Sequence, residues 1–396
     1  MKGTKEAEGA NFFWNDREGV FVSRPNRFLV KVRSGDEELS CYCPNPGRLL
    51  EFTLPGERFI VQKNPPPPLY RPQRTRWTAV GVYHGDDVVP LYAYVANMIA
   101  SELVLPSIIP SIRVLWPEFS IGGSRFDFLA EDRRGVVHLV EVKACSLVEH
   151  GVAMFPDAPS ERALRHLEEL AVLAGEGYRC HMLFMIVHGK PKRLVPNLHT
   201  DPAFAAALSR HAGRVALHTA LIRCDGSGYV KLSRAQVPVD LSHGDLAERN
   251  SGNYLLVLEL KRTRRLEIGA LGSVLFRAGW YVYAGSAAKN LSQRMARHLR
   301  RVRKKIHWHI DYLTPHAGEL RALPIRSYRN LECRLAGALG DLGGAPVPGF
   351  GCSDCACGKG GGSHLYYFEK APLQDRAFID TLLRFRHTEA LVRKQR

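Results

Sequence analysis

The sequence predicts a multidomain chain of mixed class, in which a small β domain precedes two α/β domains. Three observations carry this expectation. At 396 residues the chain exceeds what one hydrophobic core usually organises, so two or three domains are expected. Short β-runs fill residues 20–62, and from about residue 90 they give way to strands interleaved with helical periodicity. A polar stretch containing Gly and Pro, PVDLSHGDLAERNS at 238–251, then separates two regions of different charge. Residues 1–249 hold 30 Lys/Arg against 28 Asp/Glu, whereas residues 250–396 hold 25 against 11. A nearly neutral first part is thus joined to a strongly basic last part. Positive charge concentrated in this way attracts polyanions through counterion release, and nucleic acid is the commonest such partner.

Taken in order, VFVSR, RFLVKV and RFIVQK are β-runs parted by the turn signals SGDEE and LPGE. Over 20–62 this is the texture of small Greek-key barrels such as the OB-fold, and equally of many other small sheets; the β domain is placed at 12–85. In KNPPPPLYRPQRTRWT the prolines force an extended segment. Arg71, Arg74 and Arg76 stand beside Tyr70 and Trp77 there, which suits either a nucleic-acid backbone and its bases or a plain basic linker. Residues 86–237 read as α/β. YAYVANMIASELVL is helical, and SRFDFLAED and VVHLVEVKAC form a hairpin around RRG. SERALRHLEELAVLAG sets Leu164, Leu167, Leu170 and Ala171 at helical spacing. CHMLFMIVH is a buried strand, DPAFAAALSRHAG a helix stopping at Gly213, and RVALHTALIRCD a closing strand. Beyond the 238–251 linker, a third domain over 252–371 holds the strands NYLLVLEL and WYVYAG. It also holds a helix, LSQRMARHLRRVRKK, with Leu291, Met295, Leu299 and Val302 on one stripe. Residues 372–396 form a basic tail or helix. No run of 18 apolar residues occurs and no apolar stretch follows the N-terminal charges, which argues against a membrane partner and against secretion. Nine irregularly spaced cysteines fit a reduced, cytoplasmic protein better than a disulfide framework.

The first candidate site is Asp127, Glu141 and Lys143. In VEVK the side chains of Glu141 and Lys143 leave one face of a strand, and the hairpin brings Asp127 beside Glu141. Adjacent carboxylates repel unless a cation lies between them, and Mg²⁺ or Mn²⁺ suits such oxygen ligands. A nearby lysine can position water or neutralise charge developing on a phosphate. On spacing alone, charges on an edge strand would look the same. CPNPGRLLE at 43–51, SRFDFLAED, LVEVKACSLVEHGVAMFPDAPSERALRHLEEL at 139–170 and LVPNLHTDPAFAAAL at 194–208 together resemble the sugar fermentation stimulation protein A (SfsA) family. The resemblance covers about residues 12–235. It implies an OB-like domain followed by a PD-(D/E)xK nuclease fold, with Asp127, Glu141 and Lys143 catalytic and Glu102 as a further acidic metal position. Pro46 stands where that family usually has threonine. Arg48, Arg74 and Arg76 are candidate nucleic-acid contacts. So are Arg162 and His166, on one helical face with Glu169, with Asp157 in the FPDA turn a weaker candidate; a surface ion-pair stripe is the other reading.

In residues 252–369, GNYLLVLEL, GWYVYAGSAAKNLSQRMARHLR, HWHIDYL, LEC and GFGCSDCAC…SHLYYF occur in an order that resembles a GIY-YIG-type domain family sometimes fused to endonuclease III. The resemblance implies catalytic roles for Tyr254, Tyr283 and Arg294, a metal role for Glu332 and a close-approach role for Gly285. The first motif here reads Gly-Asn-Tyr. Arg294, His298, Arg301 and Lys305 make one helical stripe opposite the apolar one, which suits phosphate contact, and His307, Trp308 and His309 follow directly. Cys352, Cys355, Cys357 and His364 have zinc-ligand types, with Cys333 a further thiolate. The resemblance favours Cys333, Cys355, Cys357 and His364 as a structural Zn²⁺ site, with His307 and His309 as rival ligands; free thiols are the alternative. The expected function is a metal-dependent nuclease with a second nuclease-like domain, and DNA favoured over RNA. The alternative is a DNA-binding regulator of sugar metabolism without turnover.

Overall fold

The early β-runs close on themselves. In the computed structural model, which describes residues 9–65, 75–234, 237–302, 306–352 and 362–393, strands β1 (Arg17–Asn26), β2 (Leu29–Ser34), β3 (Glu37–Tyr42), β4 (Arg58–Lys63) and β5 (Trp77–His84) pair in the cyclic order β1-β2-β3-β5-β4-β1. The β3–β5 contact is parallel and the others antiparallel. This five-stranded closure is that of an OB-like barrel. Alternate residues such as Val30, Val32, Leu39, Cys41, Phe59 and Val61 fill its interior.

The barrel and the following α/β region share one sheet. Strand β6 (Asp87–Pro90) continues from β5 and touches β11 (Ala216–Cys224) at Val88↔Cys224. From there the order runs β11-β10-β9-β8-β7, where β7 is Ile112–Ile121, β8 Ser124–Asp132, β9 Val137–Cys145 and β10 Arg179–Ile186. β9, β10 and β11 run parallel, whereas β8 pairs antiparallel with β9 as the RRG hairpin requires. Helix α1 (Ala93–Ile99) covers one face, and helices α2 (Glu161–Gly175) and α3 (Pro202–His211) cover the other. Ser160 and Asp201 cap α2 and α3 by accepting from Ala163 N and Phe204 N. All of this forms one compact unit, Met1–Gly244, so the two domains expected here share a framework.

The second unit is Asp245–Arg396. Its sheet places β12 (Gly252–Leu260) between β14 (Leu320–Arg326) and β13 (Gly279–Ala287), with β15 (Leu365–Phe368) beyond, all antiparallel. Helix α4 (Leu291–Leu299), the short helix α5 (His309–Leu313) and helix α6 (Glu332–Asp341) surround Tyr254 and Tyr283 on the central strands. The expected 372–396 tail contains helix α7 (Arg376–His387), which buries Phe378, Ile379, Leu382 and Leu383.

Three elements differ from the expectation. The helix expected over 92–105 widens into a π turn at Ala100–Val104 before a last turn at Leu105–Ile108. Pro106 has no N–H and its ring crowds the carbonyl four residues back, which favours such a widening. The basic helix ends at Leu299 rather than 305, with Arg300 extended at φ −68°, ψ 127°. Like charges in RRVRKK oppose helix extension, and Leu299 and Val302 are exposed rather than packed. The expected linker carries a helical turn at Gly244–Arg249 with Leu246 buried.

Candidate active sites

Asp127 and Glu141 come together where the β8–β9 ladder stops. The pairing runs through Val140↔Phe128, and beyond it Val142 N donates to Asp127 Oδ2 at 2.7 Å in place of a ladder carbonyl. Asn97 Nδ2 on α1 donates to Asp127 Oδ1 at 2.8 Å. Glu141 is 2% exposed. Its Oε1 accepts from Lys143 Nζ and lies 2.6 Å from His166 Nδ1 on α2, while its Oε2 is buried with no hydrogen-bond partner. Burial would raise the Glu141 carboxyl, but His166 and Lys143 outweigh it and hold it below the ordinary glutamate range. The Asp127 carboxyl is pushed up, first by burial and then by the Glu141 charge beside it. The site thus sets two carboxylates side by side, one held below and one pushed above its ordinary range.

The other residues expected around this site divide. Glu102 is exposed on the π turn, and Asn97 of the same helical segment is the group that reaches Asp127. His166, expected on an exposed stripe for phosphate, is 2% exposed and faces Glu141, with Phe126 packed edge-on against it. Arg162, Arg48 and Arg76 are exposed; Arg74 lies outside the described residues. Asp157 is a strut. Its carboxylate accepts from Leu49 N at 3.3 Å, and a Cβ on Gly47 would sit 2.1 Å from Asp157 Oδ2. Only glycine therefore lets the CPNPGR loop close over it.

In the second unit a pocket of about 460 Å³ is lined by Tyr254, Tyr283, Arg294, Glu332, Trp308 and His364 among others. Tyr254 and Gly285 face each other across β12 and β13. A Cβ on Gly285 would stand 2.4 Å from Tyr254 Cζ, so this strand position admits only hydrogen. Tyr254 Oη lies 3.0 Å from His298 Nε2. Burial raises both the Tyr254 and Tyr283 phenols far above the ordinary tyrosine range. Arg294 donates to Ser286 O at 2.7 Å, with its guanidinium 4.8 Å from the Trp308 ring centre. Ser286 Oγ donates to Glu332 Oε2, and Glu332 Oε1 lies 3.1 Å from His364 Nδ1.

The expected basic stripe on α4 also divides. His298 is 1% exposed and lies under Tyr254 rather than on the surface. Arg301 is exposed and donates to Gly318 O, and Lys305 lies outside the described residues. Sequence reasoning missed Asn97, Ser286 and Asp311, which is fully buried behind His298 with its Oδ1 3.3 Å from His298 Nδ1. A lone acid inside HWHIDYL was the available signal. Cys333 Sγ lies 3.9 Å from His364 Nε2; Cys355 and Cys357 are outside the described residues, and Cys352 is buried with Sγ 3.6 Å from Phe350 O. Among the described residues no group of three or more His, Cys, Asp or Glu side chains is arranged to hold a metal ion. No described helix is long and apolar enough to cross a membrane.

Comparison with known proteins accounts for both units. Residues 22–91 match the SfsA N-terminal OB domain and residues 94–227 the sugar fermentation stimulation protein RE domain. Residues 253–386 match a domain of unknown function, DUF123. A sugar fermentation stimulation protein homolog of Desulfitobacterium hafniense (strain Y51) is 34% identical over 196 residues, which is 50% of this chain and 84% of that protein. The homolog of Pyrobaculum neutrophilum is 33% identical over 227 residues, 57% of this chain and 94% of that protein. The structure of Pyrococcus furiosus SfsA in complex with Ca²⁺ superposes with a TM-score of 0.53 at 24% identity, covering 60% of this chain and all of that one. This likeness shows a shared fold. The chain belongs to the sugar fermentation stimulation protein family and carries a DUF123 domain after the family's two domains.

Proposed function

We propose that the first unit is a metal-dependent nuclease that hydrolyses phosphodiester bonds at Asp127, Glu141 and Lys143, with DNA favoured over RNA. The observation that carries this is the buried Glu141 Oε2, left without a donor beside a second carboxylate that burial and Glu141 hold reluctant to ionise. An unpaired buried carboxylate oxygen is costly, and a divalent cation such as Mg²⁺ or Mn²⁺ is the partner its chemistry fits. Asp127 and Glu141 would hold it, and Ca²⁺ in the Pyrococcus furiosus relative supports a divalent ion here. Such an ion, when bound, lowers the pKa of water and stabilises charge on the phosphoryl oxygens. Lys143 Nζ, tied to Glu141, adds positive charge where the phosphate would sit, and His166 fixes the carboxylate from behind. The exposed Arg48, Arg76 and Arg162 supply phosphate contacts. Glu102, exposed on the π turn, would be the further acidic metal position.

The second unit reads as a GIY-YIG-like nuclease site. Tyr254, Tyr283 and Arg294 would act on the phosphate, Glu332 would hold a metal ion, and Arg301 and Lys305 would grip the strand. Cys333 and His364, with Cys355 and Cys357, would hold a structural Zn²⁺. The test is cleavage of labelled single- and double-stranded DNA and RNA by the purified chain with Mg²⁺, Mn²⁺ or EDTA. Metal-dependent cleavage that survives Glu332→Ala is expected. Tight, salt-sensitive binding with no cleavage of any substrate would overturn the reading in favour of a DNA-binding regulator.

A further inference from the structure

We infer that Asp311 is a positioning residue for the second site, holding His298 as the proton acceptor of Tyr254. This rests on reading that pocket as hydrolytic. Three elements converge on the relay: Tyr254 from β12, His298 from the last turn of α4 and Asp311 from the first turn of α5. Tyr254 Oη lies 3.0 Å from His298 Nε2, and His298 Nδ1 lies 3.3 Å from Asp311 Oδ1. Their exposures of 2%, 1% and 0% exclude bulk water from every joint except the phenol tip that lines the pocket.

The Asp311 carboxylate is itself pinned. Its Oδ2 accepts from Arg297 Nη2 at 2.8 Å and from the backbone N–H groups of His307 and Trp308 at 3.0 Å each. An ionised carboxylate only accepts, so a hydrogen on the imidazole nitrogen 3.3 Å from it is the favoured arrangement. That sets Nδ1–H in neutral His298 and leaves the Nε2 lone pair aimed at Tyr254 Oη. The tyrosine hydroxyl then donates inward, and an oxygen lone pair faces the pocket.

The proton balance follows. The Tyr254 O–H proton passes to His298 Nε2 and its electron pair stays on the phenol oxygen, which takes a proton from the attacking water. The resulting hydroxide forms a bond to phosphorus as the bond to the leaving oxygen breaks, and that oxygen is protonated from solvent. The imidazolium is paired with Asp311, the arrangement by which a buried carboxylate fixes tautomer and charge in hydrolytic triads. Arg294, Arg297 and Glu332 are the other charged groups around the phenol, and Tyr283 packs against it.

Two measurements on the full chain test this. Long-range ¹⁵N–¹H NMR of the imidazoles, with His298 assigned by the loss of its signals in His298→Gln, reads the tautomer directly. The wild type should show Nδ1–H. In Asp311→Asn the oxygen stays on the side of the three Oδ2 donors. The amide NH₂ replaces Oδ1, which also accepts from Arg297 Nη1 at 3.3 Å, so that guanidinium arm turns aside and the tautomer should switch to Nε2–H. Cleavage by the second site, measured with the first disabled by Asp127→Ala, should fall in kcat by about 10²–10⁴-fold with KM unchanged. Tyr254→Phe should then add little in the Asp311→Asn background, because the two act as a unit. A wild-type Nε2–H tautomer, or Asp311→Asn with the wild-type tautomer or kcat, would overturn the inference. If the second site cleaves nothing, its hydrolytic reading fails, and the tautomer alone still upholds or overturns the role of Asp311.

Discussion

Gly285→Ala perturbs the second site by one methyl group, and the structure sets the size of the effect. The added Cβ would lie 2.4 Å from Tyr254 Cζ and 2.5 Å from its Oη. Carbon atoms pack at about 3.5 Å, so the ring must retreat by about 1 Å. The backbone cannot yield easily, because Tyr254↔Gly285 sits within an uninterrupted ladder from Gly252↔Ala287 to Leu260↔Gly279. Overpacking of this kind costs about 1–3 kcal/mol. In a unit of this size that lowers Tm by roughly 2–4 °C for each kcal/mol. A phenol displaced by about 1 Å also leaves its 3.0 Å contact with His298, which should reduce cleavage by about 10²-fold. Calorimetry of the full chain and single-turnover cleavage in the Asp127→Ala background read both effects. Wild-type Tm and wild-type rate in Gly285→Ala would show that the strand and ring are not packed as described, and would remove the steric argument for glycine here.

The remaining predictions concern the first unit. Burial, then His218 and His138, lowers His181 to about 3, and burial lowers His188 to about 4. Both folded values lie below the unfolded 6.5, so the folded state binds fewer protons and loses stability as pH falls below 6.5. Between pH 6.5 and 5 each contributes about 2 kcal/mol at 1.36 kcal/mol per pH unit, partly offset by the raised carboxyls of Glu51, Asp127 and Asp157. Urea melts at the two pH values check this, and an unchanged midpoint would refute it. Asp127→Asn removes a buried repulsion and should raise the metal-free stability by about 1 kcal/mol while abolishing stabilisation by Mn²⁺ or Ca²⁺; thermal melts with and without cation read both, and a lower metal-free Tm counts against the site. Gly47→Ala should destabilise the unit by about 1–3 kcal/mol through Asp157; unchanged melting would show the loop is free of that strut.

Where local chemistry decides the structure, the sequence was legible. The alternation of RFLVKV and RFIVQK defined barrel strands, and VEVK placed Glu141 and Lys143 on one side of a strand. Contacts that depend on where distant elements meet were not legible. Periodicity put His166 and His298 on exposed helical stripes, but each is drawn inward by a carboxylate or phenol from another element. The same holds for Asn97, an amide in an apolar helix whose partner lies 30 residues on. The π turn and the early end of α4 depend on Pro106 and on a run of cations whose apolar neighbours find no cover.

The central claim is that Asp127 and Glu141 hydrolyse phosphodiesters. Its most direct test measures single-turnover cleavage and equilibrium binding on the same samples, using Asp127→Ala and Glu141→Gln in a Glu332→Ala background that silences the second site. The account predicts cleavage reduced by at least about 10²-fold in both variants with nucleic-acid binding intact. Undiminished metal-dependent cleavage by Asp127→Ala would contradict it.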